Sequence, residues 1–306
     1  MATTFTPSET LQRWRLSLPL SRDQVMLLMI AINLLFLGID TYLAHIISGT
    51  IVPNEWIPII FGFVSGVILL VAGLIALRFR MLANILATIT LSASIVVGLL
   101  GTYFHVARAA LPFAPVGERL TTPLLVWAPP VVGPLAFVFV GLLGISAAWV
   151  ESPVDSGQLI LPGGSKLRLP YSKARAYFYT VGMGVLISLI SAVLDHGRVG
   201  YSEIALWIPI VTGVFGAVSA VMMGALDDPT PFDVMTYIAA MVLLILTGLV
   251  GTYFHISADL SLGGGQFVLE RFIRGAPVLA PLLFANMGMI GLIVLIKPAD
   301  RTSPEA

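Results

Sequence analysis

Apolar positions along this chain gather into long, nearly unbroken runs, not into alternating or heptad patterns. A run of about 20 mostly apolar residues is the length of a membrane-spanning helix. Such runs occur at 24–47, 56–78, 82–105 and 127–149, and again at 174–196, 205–226, 232–255 and 277–297. The ten-residue alternating segments of a membrane β-barrel do not occur. The pattern therefore predicts an all-α polytopic membrane protein with eight transmembrane helices. Polar breaks divide it into a leader at 1–23, a first four-helix unit at 24–150, a linker at 151–173, a second four-helix unit at 174–298 and a tail at 299–306. Within the linker, Leu159–Leu169 turns about Pro162-Gly163-Gly164 and predicts a small hairpin.

The two units read as copies. Gly98-Leu-Leu-Gly-Thr-Tyr-Phe-His105 returns as Gly248-Leu-Val-Gly-Thr-Tyr-Phe-His255. His45-x10-Trp56-Ile-Pro-Ile-x2-Gly62 matches His196-x10-Trp207-Ile-Pro-Ile-x2-Gly213, and Pro130-Val-x2-Pro134-Leu-x-Phe137 matches Pro277-Val-x2-Pro281-Leu-x-Phe284. An internal repeat at this period indicates a tandem duplication. An even number of spans per unit gives both the same orientation, with a pseudo-two-fold axis along the membrane normal.

Composition agrees and removes several classes. Charged residues are 10% of the chain against roughly 25% in soluble domains, so a water-facing surface could not be covered. The zero net charge suggests no nucleic-acid partner, and the absence of cysteine excludes disulfides and thiolate metal sites. The N-terminus does not have the pattern of a cleaved signal peptide. Arg13, Arg15, Arg22, Arg78, Arg80, Lys166, Arg168, Lys173, Arg175, Lys297 and Arg301 fall on the side of both termini, against Arg108, Arg119, Arg198, Arg271 and Arg274 on the other. By the positive-inside rule both termini and the linker are cytoplasmic, in the plasma membrane. Expected partners are the lipid bilayer and a membrane-complex subunit or second copy.

This topology gathers all four histidines near the outer face. His45 and His196 end the first span of each unit, and His105 and His255 end the third. Imidazole ligates metals and carries protons near neutral pH, and ionisable groups within spans usually face a bundle interior or wet cavity. Two facing histidines in a four-helix bundle can bind haem iron axially; copper or zinc are alternative occupants. Gly98, Gly101, Gly248 and Gly251 lie on the histidine's helix face. They either make room for a flat macrocycle or allow close helix packing. Arg119 and Arg271, each beside a glutamate, are candidates for propionate contacts or surface ion pairs. Asp40 and Asp195 are candidates for orienting nearby imidazoles. No HExxH pattern, Ser/His/Asp set or phosphate-binding loop is present.

The layout resembles the haem A synthase family: two tandem four-helix units, each with a histidine pair toward the outer face. The resemblance implies a bis-histidine haem scaffold, His45 with His105 and His196 with His255, and the first reading of such a protein is a redox or electron-transfer role. The family's outer-loop cysteine pair has no counterpart here, and its glutamate four residues before the first histidine is Thr41. The competing class is a transporter or structural subunit of a membrane complex without a cofactor, in which the histidines and Asp40 relay protons.

Overall fold

The computed structural model describes residues 9–47 and 49–299. The expected tail at 299–306, with Arg301, falls almost wholly outside them. In chain order the elements are α1 (Glu9–Arg13), α2 (Arg22–Ile46), α3 (Trp56–Ile75), α4 (Arg80–Ala109), α5 (Thr122–Trp127) and α6 (Leu135–Ala148). Then follow β1 (Val150–Glu151), β2 (Gln158–Ile160) and β3 (Lys166–Arg168), and finally α7 (Lys173–Gly197), α8 (Ile208–Ala225), α9 (Pro231–Leu262), α10 (Leu269–Arg274) and α11 (Leu282–Ile293).

Helices α2, α3, α4, α7, α8 and α9 are long and apolar enough to cross a membrane. Their starts are written locally. Ser21 accepts from the Gln24 N–H in a capping box at α2, Ser172 accepts from the Arg175 N–H at α7, and Thr230 with Asp233 forms the box at α9. Each side-chain oxygen takes one of the amide protons left free at a helix start.

The expected fourth and eighth spans are shorter as helices, at 14 and 12 residues. At 1.5 Å per residue these cover about 21 and 18 Å, short of the roughly 30 Å hydrocarbon layer. Proline is the reason. Pro134 and Pro281 stand at the helix boundary as N-caps, since proline has no N–H to give and its ring blocks the preceding turn. The residues before them form turns instead. The third and seventh spans run longer than the sequence predicts, to Ala109 and Leu262. GTYFH thus lies inside its helix, about one turn from the end in α4 and two in α9.

Within each half the helices neighbour one another in the same way. α2 packs on α3, α3 on α4, α4 on α6 and α6 on α2; likewise α7 on α8, α8 on α9, α9 on α11 and α11 on α7. First and third helices of each half therefore face each other diagonally across a four-helix ring. The shared core includes Met26, Ile30 and Leu34 of α2, Leu91 of α4, Val181 and Val185 of α7 and Met241 and Leu244 of α9, all fully buried. Their three- and four-residue spacing is one helical stripe. The opposite faces expose Leu28, Ile32, Phe36, Val64, Val67 and Leu246, apolar where a soluble protein would be polar.

The linker adds a small sheet to the helical fold. It folds as a three-stranded antiparallel sheet, β1-β2-β3, pairing Leu159 with Leu167 across the expected hairpin. The sheet is docked, with Glu151, Asp155 and Leu159 buried. The N-terminal leader is docked too. Leu16 bridges Ile296, and Arg15 donates to Asp155 at 2.8 Å. Leader, linker and the end of α11 thus meet at one end of the molecule, opposite the histidines.

Arg22 and Asp23, placed in the leader and its boundary by sequence, open α2 at that end. Asp23 accepts from the Lys173 ammonium at 2.6 Å, the Arg22 guanidinium at 3.1 Å and the Tyr177 hydroxyl at 3.0 Å. Lys173 also donates to the Trp149 carbonyl, and its backbone N–H to Glu151. Arg22 and Lys173 are fully buried. Burying them is tolerable because Asp23 neutralises part of the charge and supplies acceptors.

Candidate paired-histidine sites

Each histidine pair closes within its own half. The rings of His45 and His105 have centroids 6.2 Å apart at an interplanar angle of 61°; those of His196 and His255 are 6.5 Å apart at 68°. All four are half-buried. The geometry follows from the helices: α2 and α4, like α7 and α9, stand diagonally in their ring, and each histidine lies toward the far end of its helix, which brings each pair to the same level.

Three rings are oriented by backbone. His105 Nδ1 donates to the Pro130 carbonyl at 2.8 Å, His255 Nδ1 to the Pro277 carbonyl at 2.9 Å, and His45 Nδ1 to the Thr41 carbonyl at 2.7 Å. A carbonyl only accepts, so the proton sits on Nδ1 and the lone pair on Nε2. That is the tautomer in which Nε2 can ligate, with the other nitrogen held by an acceptor as in metal sites. The fourth ring differs. His196 Nδ1 is buried near the Leu206 backbone and makes no hydrogen bond of good geometry.

Pro130 and Pro277 were visible in sequence only as repeat-matched prolines. Their carbonyls also accept from Gly133 and Ala280 in the turn that leads into α6 and α11. The proline-delayed helix start thus leaves a free-standing turn whose carbonyl faces the histidine. A proline cluster opposite a repeated histidine is the signal that would have found it.

The glycines beside the histidines serve helix packing. A Cβ on Gly98 would stand 2.7 Å from the Val138 amide nitrogen, and one on Gly248 would stand 2.6 Å from the Ala285 amide nitrogen. A Cβ on Gly101 or Gly251 would meet ring carbons, of Pro134 at 2.9 Å and of Pro281 at 2.8 Å. The space beside these four residues is taken by α6 and α11.

The remaining candidates sit less centrally. Asp40 is exposed on α2, five residues before His45. Asp195 lies 3.8 Å from Arg198 and near Ser191, so its contacts go to those side chains. Arg119 folds back on its own loop, donating to the Ala114 carbonyl. The Glu270-Arg271 doublet does not pair with itself, since Glu270 lies 3.2 Å from Arg274, one helical turn on. Neither Arg119 nor Arg271 is brought to a histidine by these contacts.

Among the described residues, no three His, Asp or Glu side chains converge as a metal-holding group. Each site offers two imidazoles. Comparison with protein-family models, curated proteins and solved structures finds no match for this chain.

Proposed function

We propose that this chain is an eight-span membrane protein of two tandem four-helix units, each holding one haem between two histidines, and that it serves in electron transfer. The supporting observation is the pair of ring separations, 6.2 and 6.5 Å. Two imidazoles bound on opposite sides of one metal at about 2.0–2.1 Å per bond have ring centres roughly 6 Å apart. A two-ligand site suits an axially held haem better than zinc, whose structural sites take four protein ligands and catalytic sites three.

In this proposal His45 with His105, and His196 with His255, would hold the haem through their Nε2 atoms. Haem supplies one-electron chemistry at a potential set by its axial ligands and surroundings. The protein's own contribution is orientation. Carbonyls of Pro130, Pro277 and Thr41 hold the Nδ1 protons, so three of the rings keep both tautomer and aim. The eight-span, two-fold arrangement of the haem A synthase-like layout belongs to this proposal, with α6 and α11 completing their spans through the proline turns before them. So do the cytoplasmic termini in the plasma membrane.

Detergent-purified protein tests it by absorption spectroscopy. The expected result is a Soret band that His105→Ala and His255→Ala each reduce by about half, one haem being lost per altered pair. A colourless, metal-free preparation would overturn the haem reading and leave a transporter or structural subunit.

A further inference from the structure

The two proline turns that orient His105 and His255 are anchored in different ways. In the second half, buried Asp259 of α9 accepts from the Ala276 N–H at 2.9 Å, directly before Pro277. That bond holds the turn from inside its own unit. The first half cannot copy it. The repeat spacing puts Ala109 where Asp259 stands, and Pro129 where Ala276 stands. Proline has no N–H to offer, so an aspartate there would find no donor.

Another anchor occupies the first half's turn. Arg198, just past the end of α7 in the second half, donates from Nε to the Val126 carbonyl at 2.8 Å and from Nη2 to the Ala128 carbonyl at 3.2 Å. These are carbonyls at the end of α5, where no intrahelical N–H is left to take them. The planar guanidinium spans two acceptors at once. The short stretch Ala128-Pro129-Pro130 then carries the position of α5 to the carbonyl that accepts from His105. Asp195, 3.8 Å from Arg198, steadies the guanidinium from its own helix. The repeat-matched position in the first half is Ile47, which has no such group to give.

We propose that Arg198 is a positioning residue for the other unit's site: by clamping the end of α5 it fixes the turn that presents the Pro130 carbonyl to His105. The second half thereby sets the geometry of the first, while Asp259 sets its own. The proposal gives the paired sites of the haem reading an ordered dependence, and its test needs no haem.

The measurement is the imidazole 15N–1H spectrum of haem-free protein. With four histidines in the chain, each ring is assigned by its own His→Gln variant. In Arg198→Met, which keeps the aliphatic stem, the slowly exchanging Nδ1–H signal of His105 is lost and that of His255 is kept. In Asp259→Ala the loss falls on His255, and His105 is kept. Arg198→Ala repeats the first result, so that a misfolded single variant does not end the test. Arg168→Ala, on the exposed strand β3 at the opposite end, leaves both signals in place. A folded Arg198 variant with His105 unchanged, or with His255 changed instead, overturns the proposal. A missing Soret band would end the haem reading and leave this one standing.

Discussion

At the scale of the residue, small side chains decide what stands beside the histidines. Gly98 and Gly248 are repeated at equal distance from their histidines, and sequence alone left their purpose open between a cofactor gap and helix contact. Backbone contacts at 2.7 Å and 2.6 Å assign them to contact. Gly98→Ala and Gly248→Ala should therefore each destabilise the protein by about 1–3 kcal/mol through overpacking. Gly117→Ala, whose Cβ meets nothing within 4 Å, should stay within about 0.5 kcal/mol. Thermal unfolding in detergent distinguishes the two outcomes. The histidines themselves were legible because four of them, all repeat-matched, is a pattern that composition makes rare. Arg198 and Asp259 were not legible. Each acts through a backbone group far along the chain or in a turn, and no spacing rule announces such a bond.

At the scale of the element, the spans were readable because apolar length is a one-dimensional property. Where helices begin was less readable. Ser21, Ser172 and Thr230 cap as their types suggest, but the late starts of α6 and α11 depend on proline chemistry working against an apolar run. The ends of α4 and α9 overran because the residues after GTYFH contain no helix breaker before Pro112 and Gly263. The buried cluster at the start of α2 and α7 carries a sharper consequence. Arg22 and Lys173 stand 151 positions apart, at matching places in the two units, and both meet Asp23. Asp23→Ala would leave two buried cations without that partner. The expected loss is about 3–5 kcal/mol, as for other broken buried ion pairs, measured as a lowered unfolding midpoint. Ser172→Ala, which removes only the cap beside it, should cost about 1 kcal/mol.

At the scale of the whole molecule, leader, linker sheet and the end of α11 gather opposite the histidines. The contacts of Arg15 with Asp155, and of Leu16 with Leu295 and Lys297, draw all three together. The proposed topology, with an even number of crossings between these segments, would put all three on one side of the membrane, and the charge bias would make that side the cytoplasm. The absence of cysteine makes this directly testable. Gly117→Cys and Gly163→Cys introduce single thiols on opposite ends, at positions where nothing lies within 4 Å. A membrane-impermeant maleimide applied to intact cells should label Cys at 117 and spare Cys at 163 until the cells are opened. The reverse pattern would invert the orientation.

Sequence by itself determined that this is a helical membrane protein, that its halves carry repeated strings, and which four residues bear its candidate chemistry. Those properties are carried by apolar run length, by repeated strings and by rarity, all local to the chain. Tertiary structure alone decided that the histidines pair within each half, because pairing depends on which helices stand diagonally in the ring. It also decided that carbonyls, and not Asp40 or Asp195, take the Nδ1 protons of His105 and His255. Backbone acceptors carry no side-chain signature, so their role emerges only once a turn has been folded against a helix. The same holds for the two anchors of those turns: one half uses a neighbour across the interface because a proline denies it the bond that the other half makes for itself.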